Sequence, residues 1–300
     1  MRRFSLISFY KYVFIDNPGE IADKMLSFSL RHELRGKVYL ASEGINGNLS
    51  AKIENIGKYK SFLTGLELFK DVLFKEDETD NFVHTRMQIR LKHELVNSGL
   101  SFLNDQTRNS KASGKKLSPA ELMSFYESKK DFIIVDVRNW YESKIGKFKN
   151  ALTPGLKNFR EWPDAVEEIK KYKDRTVVTY CTGGIRCEKA SAYLLQKGFK
   201  DVYQLDGGII SYIKKFPDTH WLGGVFVFDD RKVIEPNTRE DLKYTAQCGF
   251  CGRPSAYYIN CHNLDCDKIF VVCGNCKYEN DYCCSEECRQ AGNKRDKYYD

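Results

Sequence analysis

Nine of the eleven cysteines in this 300-residue chain lie between Cys248 and Cys288, and eight of those fall into close pairs. The pairs are Cys248 with Cys251, Cys261 with Cys266, Cys273 with Cys276, and Cys284 with Cys288. A tail of about fifty residues has too little apolar side chain to fold by burial alone, so its sulfurs decide what it becomes. Four pairs suffice for two tetrahedral all-thiolate sites, with Cys283 and His262 left over. Turns containing Gly249, Gly252 and Gly274 let both sulfurs of a pair reach one ion, which suits structural zinc. Disulfides, an iron–sulfur cluster and free thiols are the alternatives, and spacing does not say which pairs would share an ion. A secreted disulfide scaffold is disfavoured, because the long stretch before the tail holds only Cys181 and Cys187.

Lys and Arg exceed Asp and Glu by 48 − 41 = 7, which permits a polyanionic partner without requiring one. No apolar run approaches the ~20 residues of a membrane helix. Lys11 interrupts the apolar stretch after Met1-Arg2-Arg3, and no small-residue cleavage site follows it. The expectation is a soluble cytoplasmic protein with no membrane partner. The chain divides into a first domain (1–97), a basic linker (98–117), a second domain (118–222) and a C-terminal extension with the cysteine-rich module (223–300).

In the first domain, residues 4–10 have strand composition, and Asn17-Pro18-Gly19-Glu20 starts a helix carrying Ile21, Met25, Leu26 and Leu30. Residues 37–40 read as a strand, and Glu43-Gly44-Ile45-Asn46-Gly47-Asn48 as turn chemistry leading into another. An amphipathic stretch covers 56–69, and an extended segment 82–96. The order βαββαβ predicts a ferredoxin-like (acylphosphatase-like) α+β domain. Arg86, Arg90, Lys92, Arg108, Lys111, Lys115 and Lys116 then face only Glu94 and Asp105. This basic run is either a solvated hinge or a contact surface for the phosphates of a nucleic acid.

In the second domain Ser118-Pro119-Ala120-Glu121 has the pattern of a capping box with proline in the first turn. Buried strands are expected at 132–137 and 176–180, helices at 162–172 and 188–197, and a short strand at 202–205. Strands alternating with helices predict a parallel α/β sheet.

The segment Tyr180-Cys181-Thr182-Gly183-Gly184-Ile185-Arg186-Cys187-Glu188 follows the second buried strand, where parallel sheets place their sites. Two glycines let the backbone of Thr182, Gly183, Gly184 and Ile185 curl its N–H groups inward, and a helix start adds a positive pole. Arg186 adds a fixed cation. Together they lower the pKa of Cys181 and stabilise its thiolate, or a persulfide built on it. Cys187 is either a resolving thiol or a small helix-start residue.

This loop resembles the active-site loop of rhodanese domains. Asp136-Val137-Arg138 with Glu142, and Leu205-Asp206-Gly207-Gly208-Ile209, are similar to two further motifs of that family. Four residues between Cys181 and Arg186 match sulfur-carrying rhodaneses rather than the wider loop of related phosphatases. Glu43-Gly44-Ile45-Asn46-Gly47, Arg90-Leu91-Lys92-His93-Glu94-Leu95-Val96, the block from Cys181 to Ala190, and Gly224-Val225-Phe226-Val227-Phe228-Asp229-Asp230-Arg231 resemble signatures of the rhodanese-related tRNA uridine hydroxylases. Val225 stands where that family has a cysteine. The resemblance implies oxygen-dependent formation of 5-hydroxyuridine at the tRNA wobble position, with tRNA as partner and dioxygen as cosubstrate. No flavin or haem motif and no iron-binding triad is present. A sulfurtransferase passing a persulfide from Cys181 to a small molecule or protein is the alternative, its sulfur donor or acceptor unknown.

Overall fold

In the computed structural model, which describes residues 3–100, 103 and 112–296, the first domain is built around β1 (Phe4–Tyr12). Asn17 caps α1 (Pro18–Arg31) by accepting from the Glu20 N–H at 3.3 Å, and Pro18 sits in the first turn. There its missing N–H leaves no intrahelical bond unmade. β2 (Arg35–Ala41), β3 (Gly44–Lys52), α2 (Ile53–Thr64), β4 (Phe74–Thr79) and β5 (Met87–Leu91) follow. The sheet order β4-β1-β3-β2-β5 contains the antiparallel β4-β1-β3-β2 arrangement of the expected sandwich, with β5 added parallel to β2. Both helices cover one face, where Ile7, Phe9, Val38, Ile45 and Leu49 pack with Met25, Ile56, Tyr59 and Leu63.

Three local expectations change. The turn before β3 occupies only Ser42 and Glu43, and Gly44 to Asn48 are strand paired with β1 and β2. Their glycines serve packing: a Cβ on Gly47 would lie 2.3 Å from the Phe9 ring. The fourth strand lies at β4, before the extended segment expected to supply it, and the amphipathic stretch breaks at Thr64 ahead of a short 3₁₀ turn, Glu67–Phe69.

β6 (Lys115–Leu117), α3 (Pro119–Glu127), β7 (Phe132–Asp136), α4 (Trp140–Ile145), β8 (Gly146–Phe148), α5 (Trp162–Ile169), β9 (Thr176–Tyr180), α6 (Ile185–Gln196), β10 (Asp201–Leu205) and α7 (Gly208–Lys215) form the second domain. Its sheet is wholly parallel, in the order β6-β10-β9-β7. Ser118 and Glu121 form the expected reciprocal cap of α3. Lys115 and Lys116 lie in edge strand β6 and not in a hinge, because their backbone pairs with Tyr203 and Gln204.

β11 (Trp221–Gly223) pairs with β8 and stitches the C-terminal part to the second domain. β12 (Val225–Phe226), β13 (Val233–Ile234), β14 (Tyr258–Asn260), β15 (Ile269–Val271), α8 (Gly274–Glu279) and α9 (Glu286–Gln290) complete the chain. The tail's own apolar core is small, with Ile259, Val272 and Tyr282 packed among cysteines. Among the described residues no helix is long and apolar enough to cross a membrane.

Candidate active site and metal clusters

Because β9 ends at Tyr180, Cys181 sits at the carboxyl edge of the parallel sheet, just ahead of the first turn of α6. Gly184 is the pivot. Its φ is +102°, and its N–H donates to Cys181 Sγ at 3.1 Å. The Gly207-Gly208 turn closes the loop from the other side, with Ile209 N–H donating to the Cys181 carbonyl at 3.0 Å. A Cβ on Gly208 would lie 2.5 Å from that carbonyl oxygen, so this contact requires glycine.

Cys181 is 1% exposed, and burial by itself would raise its pKa. The hydrogen bond from Cys187, the charge of Arg186 and the N–H groups of Gly184 and Arg186 overcome burial and bring the thiol down to about 5. Cys187 goes the other way: burial and its donation to the neighbouring thiolate push it well above the ordinary thiol range. One proton and one negative charge are shared between the two sulfurs, with the charge on Cys181.

Arg186 is clamped rather than free. Its guanidinium donates to Glu142 through two bonds of 2.6 and 2.8 Å, and Glu142 is fully buried. Burial alone would raise that carboxyl, but the Arg186 charge and hydrogen bonds hold it below the usual range. The same motif carries a second buried clamp. Arg138 donates to Asp136 at 2.9 and 2.6 Å and to the Gly146 carbonyl, and Tyr180 donates to Asp136 at 2.7 Å. The motif is legible in the sequence; that Glu142 fixes Arg186 is not.

The open face of the first sheet lies over this loop. Lys75 of β4 donates to the Gly183 carbonyl, Tyr10 donates to Glu188 at 3.3 Å, and Tyr12 to the Ile185 carbonyl at 3.4 Å. Burial lowers the Lys75 pKa, opposed by the charges of Cys181 and Asp206. Glu43 receives Lys189 of α6 at 2.9 Å and the Leu95 N–H at 2.5 Å, both charged side chains being fully buried. Tyr10, Tyr12 and Lys75 were not recognisable from the sequence, since nothing local marks them.

In the tail, Cys248, Cys251, Cys273 and Cys276 bring four sulfurs within 4.8 Å of one another, and so do Cys261, Cys266, Cys284 and Cys288. The first pair joins the third and the second joins the fourth, an interleaved pairing. The sulfurs of Cys251 and Cys273 stand 3.7 Å apart, those of Cys266 and Cys284 3.7 Å, and those of Cys284 and Cys288 3.8 Å. Four sulfurs at ~2.3 Å around one tetrahedral ion would stand about 3.8 Å apart, so both clusters fit a closed metal site. Cys283 stays outside, its thiol on the Asp281 carbonyl, and His262 stacks on Tyr282.

Residues 4–95 match the UPF0176 acylphosphatase like domain, 118–215 the rhodanese-like domain, and 222–289 the family described as Rhodanase C-terminal. A protein of Staphylococcus carnosus named tRNA uridine(34) hydroxylase is 38% identical over 299 residues, 98% of this chain and 92% of that one. A protein of the same name from Staphylococcus aureus matches to the same extent. The chain belongs to the tRNA uridine(34) hydroxylase family. A solved rhodanese-like domain protein from Staphylococcus aureus is 27% identical and covers 33% of this chain and 90% of its own, with a TM-score of 0.29.

In this hydroxylase family member the basic residues separate into two groups. Lys115 pairs with Asp201 at 2.9 Å, and Lys116 pairs with Glu188, which also accepts from Ser113 and Gln204. Both serve the second domain. Arg86, Arg90 and Lys92 remain exposed at the β2–β5 edge of the first sheet, while Arg108 and Lys111 lie outside the described residues.

Proposed function

We propose that the chain hydroxylates C5 of the wobble uridine in tRNA, with dioxygen as oxidant and Cys181 as the residue that engages the base. The observation that carries this is a buried cysteine whose sulfur receives the Gly184 N–H at 3.1 Å beside the Glu142-clamped Arg186, in a chain related along nearly its whole length to proteins named tRNA uridine(34) hydroxylase. A thiolate adding to C6 of uracil pushes the ring's double-bond electrons toward C5 and O4, making C5 the attacking atom toward oxygen. Loss of the C5 proton then expels Cys181 as thiolate. One oxygen atom stays on C5, and the other leaves as water with two protons and two electrons from an external two-electron donor. Arg186 and the backbone of Thr182, Gly183, Gly184 and Ile185 hold the anion before and after addition. Cys187 keeps the resting proton.

The first and second domains, 1–97 and 118–222, face each other across the site. The basic segment 98–117 runs between them, with Leu100 and Leu103 in the core of the second domain and Lys115–Leu117 forming its strand β6, and the extension 223–300 completes the scaffold. Each cysteine cluster in that extension holds one zinc ion in a structural role, since four thiolates leave no open position. The setting for such an enzyme is the cytoplasm, where tRNA is. A second reading is favoured by one observation: Cys181 is only 1% exposed beneath Lys75 and Tyr10, which suits transfer of a single sulfur atom as a persulfide.

The test compares nucleosides of tRNA from cells with and without the protein, and with Cys181→Ser. The proposal expects 5-hydroxyuridine to disappear in both. Unchanged 5-hydroxyuridine, with rapid sulfur transfer from thiosulfate to cyanide by the purified protein, would establish the sulfurtransferase instead.

A further inference from the structure

The residues on the open face of the first sheet, which meets the second domain at Tyr10, Tyr12 and Lys75, run in cross-strand rows. One row is Tyr10, Asn46, Tyr39 and Arg90; the next is Lys75, Ser8, Asn48, Lys37 and Gln88. At about 4.8 Å per strand, the second row spans about 19 Å, from Lys75 beside the Cys181 loop to the far edge of the sheet. That edge opens into a groove of about 310 Å³ lined by Lys37, Tyr39, His84, Arg86 and Arg90, with Asp230 as its acid. Lys37 and Arg86 have no ion-pair partner among the described residues, and Lys37, Arg86 and Arg90 are exposed.

Two buried polar atoms in this region lack partners among the described residues, His84 Nε2 and Asn48 Oδ1. The histidine is 4% exposed. Ser50 Oγ accepts from the Val83 N–H at 3.3 Å and lies 3.0 Å from His84 Nδ1, to which its hydroxyl hydrogen can be donated. That assignment puts the histidine proton on Nε2, a buried donor with no acceptor at the groove. An unpaired buried donor costs the fold its desolvation, and an incoming anionic oxygen would offset that cost.

We infer that this sheet face is a track for a single-stranded RNA segment. Its phosphates lie on Lys37, Arg86 and Arg90, and the strand leads toward Cys181 past Tyr39, Asn46 and Tyr10. The inference rests on the tRNA reading and deepens it by naming the surface that presents the base. By analogy of fold, four-stranded sheets of this kind that bind RNA seat two or three bases on the same open face. Tyr39, half-buried at the groove, gives one base a ring to stack on.

The experiment measures binding of a synthetic anticodon stem-loop RNA with a wobble uridine by fluorescence anisotropy across several salt concentrations. It compares the full chain, Lys37→Ala/Arg90→Ala, and Lys170→Ala/Lys200→Ala at the opposite end of the second domain's sheet. Two lost phosphate contacts weaken binding about ten-fold and flatten the logarithmic salt slope by about 0.7 each. The control pair binds as the unaltered chain does. Equal affinity and slope for Lys37→Ala/Arg90→Ala, with hydroxylation by the unaltered chain intact, overturns the track and leaves the tRNA reading standing. Failure of the unaltered chain both to bind the RNA and to hydroxylate it overturns both. Site-resolved alkylation of Cys181 at an unchanged rate shows that the variants are folded.

Discussion

Replacing Lys189 with methionine tests the joint between the two domains. Lys189 and Glu43 are both fully buried and lie 2.9 Å apart, so the substitution leaves a buried carboxylate without its cation. Removing one partner of a buried ion pair costs about 3–5 kcal/mol, mostly from the charge left behind. Glu43 keeps the Leu95 N–H at 2.5 Å, which places the expected loss toward the lower end of that range. The double variant Glu43→Gln/Lys189→Met carries no buried charge and preserves an acceptor for Leu95, so it should lose only about 1–2 kcal/mol relative to the unaltered chain. Glu43→Gln alone leaves the buried lysine unpaired at a similar cost of about 3 kcal/mol, so the coupling energy is about 4–5 kcal/mol. Urea unfolding read by tryptophan fluorescence follows the second domain, because Trp140, Trp162 and Trp221 all belong to it or to the strand stitched onto it. Cys181 alkylation in the same samples reports the lifting of the sheet from the loop and should accelerate in the single variant. A loss below about 1 kcal/mol for Lys189→Met, or additive effects in the cycle, would refute the ion pair as the pin.

Arg186→Gln removes the cation beside Cys181 and strips Glu142 of its partner, so the Cys181 pKa should rise and stability fall by about 3–5 kcal/mol, read by thiol titration and urea unfolding. The folded Cys181 pKa of about 5 lies below the ~8.5 of a free thiol, so its contribution is present above the unfolded value and is lost as pH falls through 5. The stability difference between the unaltered chain and Cys181→Ser should therefore shrink as pH falls from about 8.5 to 5, in urea titrations at each pH. Zinc analysis should give two equivalents per chain. Cys251→Ala and Cys273→Ala should remove the same equivalent, and Cys266→Ala and Cys284→Ala the other, as the interleaved clusters require.

The reactive loop was legible because its chemistry is contiguous: Cys181, two glycines and Arg186 carry the strand end, the curl and the charge in one stretch. The apolar runs of β7 and β9 fixed the parallel sheet in the same way, since buried strands read as unbroken apolar segments. β4 escaped notice because Lys75, Glu76, Asp77 and Glu78 are poor strand formers. Its pairing with β1 and its contacts with the second domain override that preference, with Lys60 and Ser5 holding Glu76 and Lys214 holding Asp77. Lys75 lies 108 residues from the carbonyl it holds, a distance no spacing rule spans. The cysteine pairs were visible and their partnering was not, because close spacing brings two sulfurs together and the fold of the tail chooses the other two.

The proposed chemistry needs a negative charge on one buried sulfur, and the pH dependence of its alkylation measures that charge. Iodoacetamide modification of Cys181, resolved from the other ten cysteines by mass spectrometry, should titrate with a midpoint near 5 and stay at its plateau through neutrality. A midpoint at or above the ~8.5 of an ordinary thiol would contradict it.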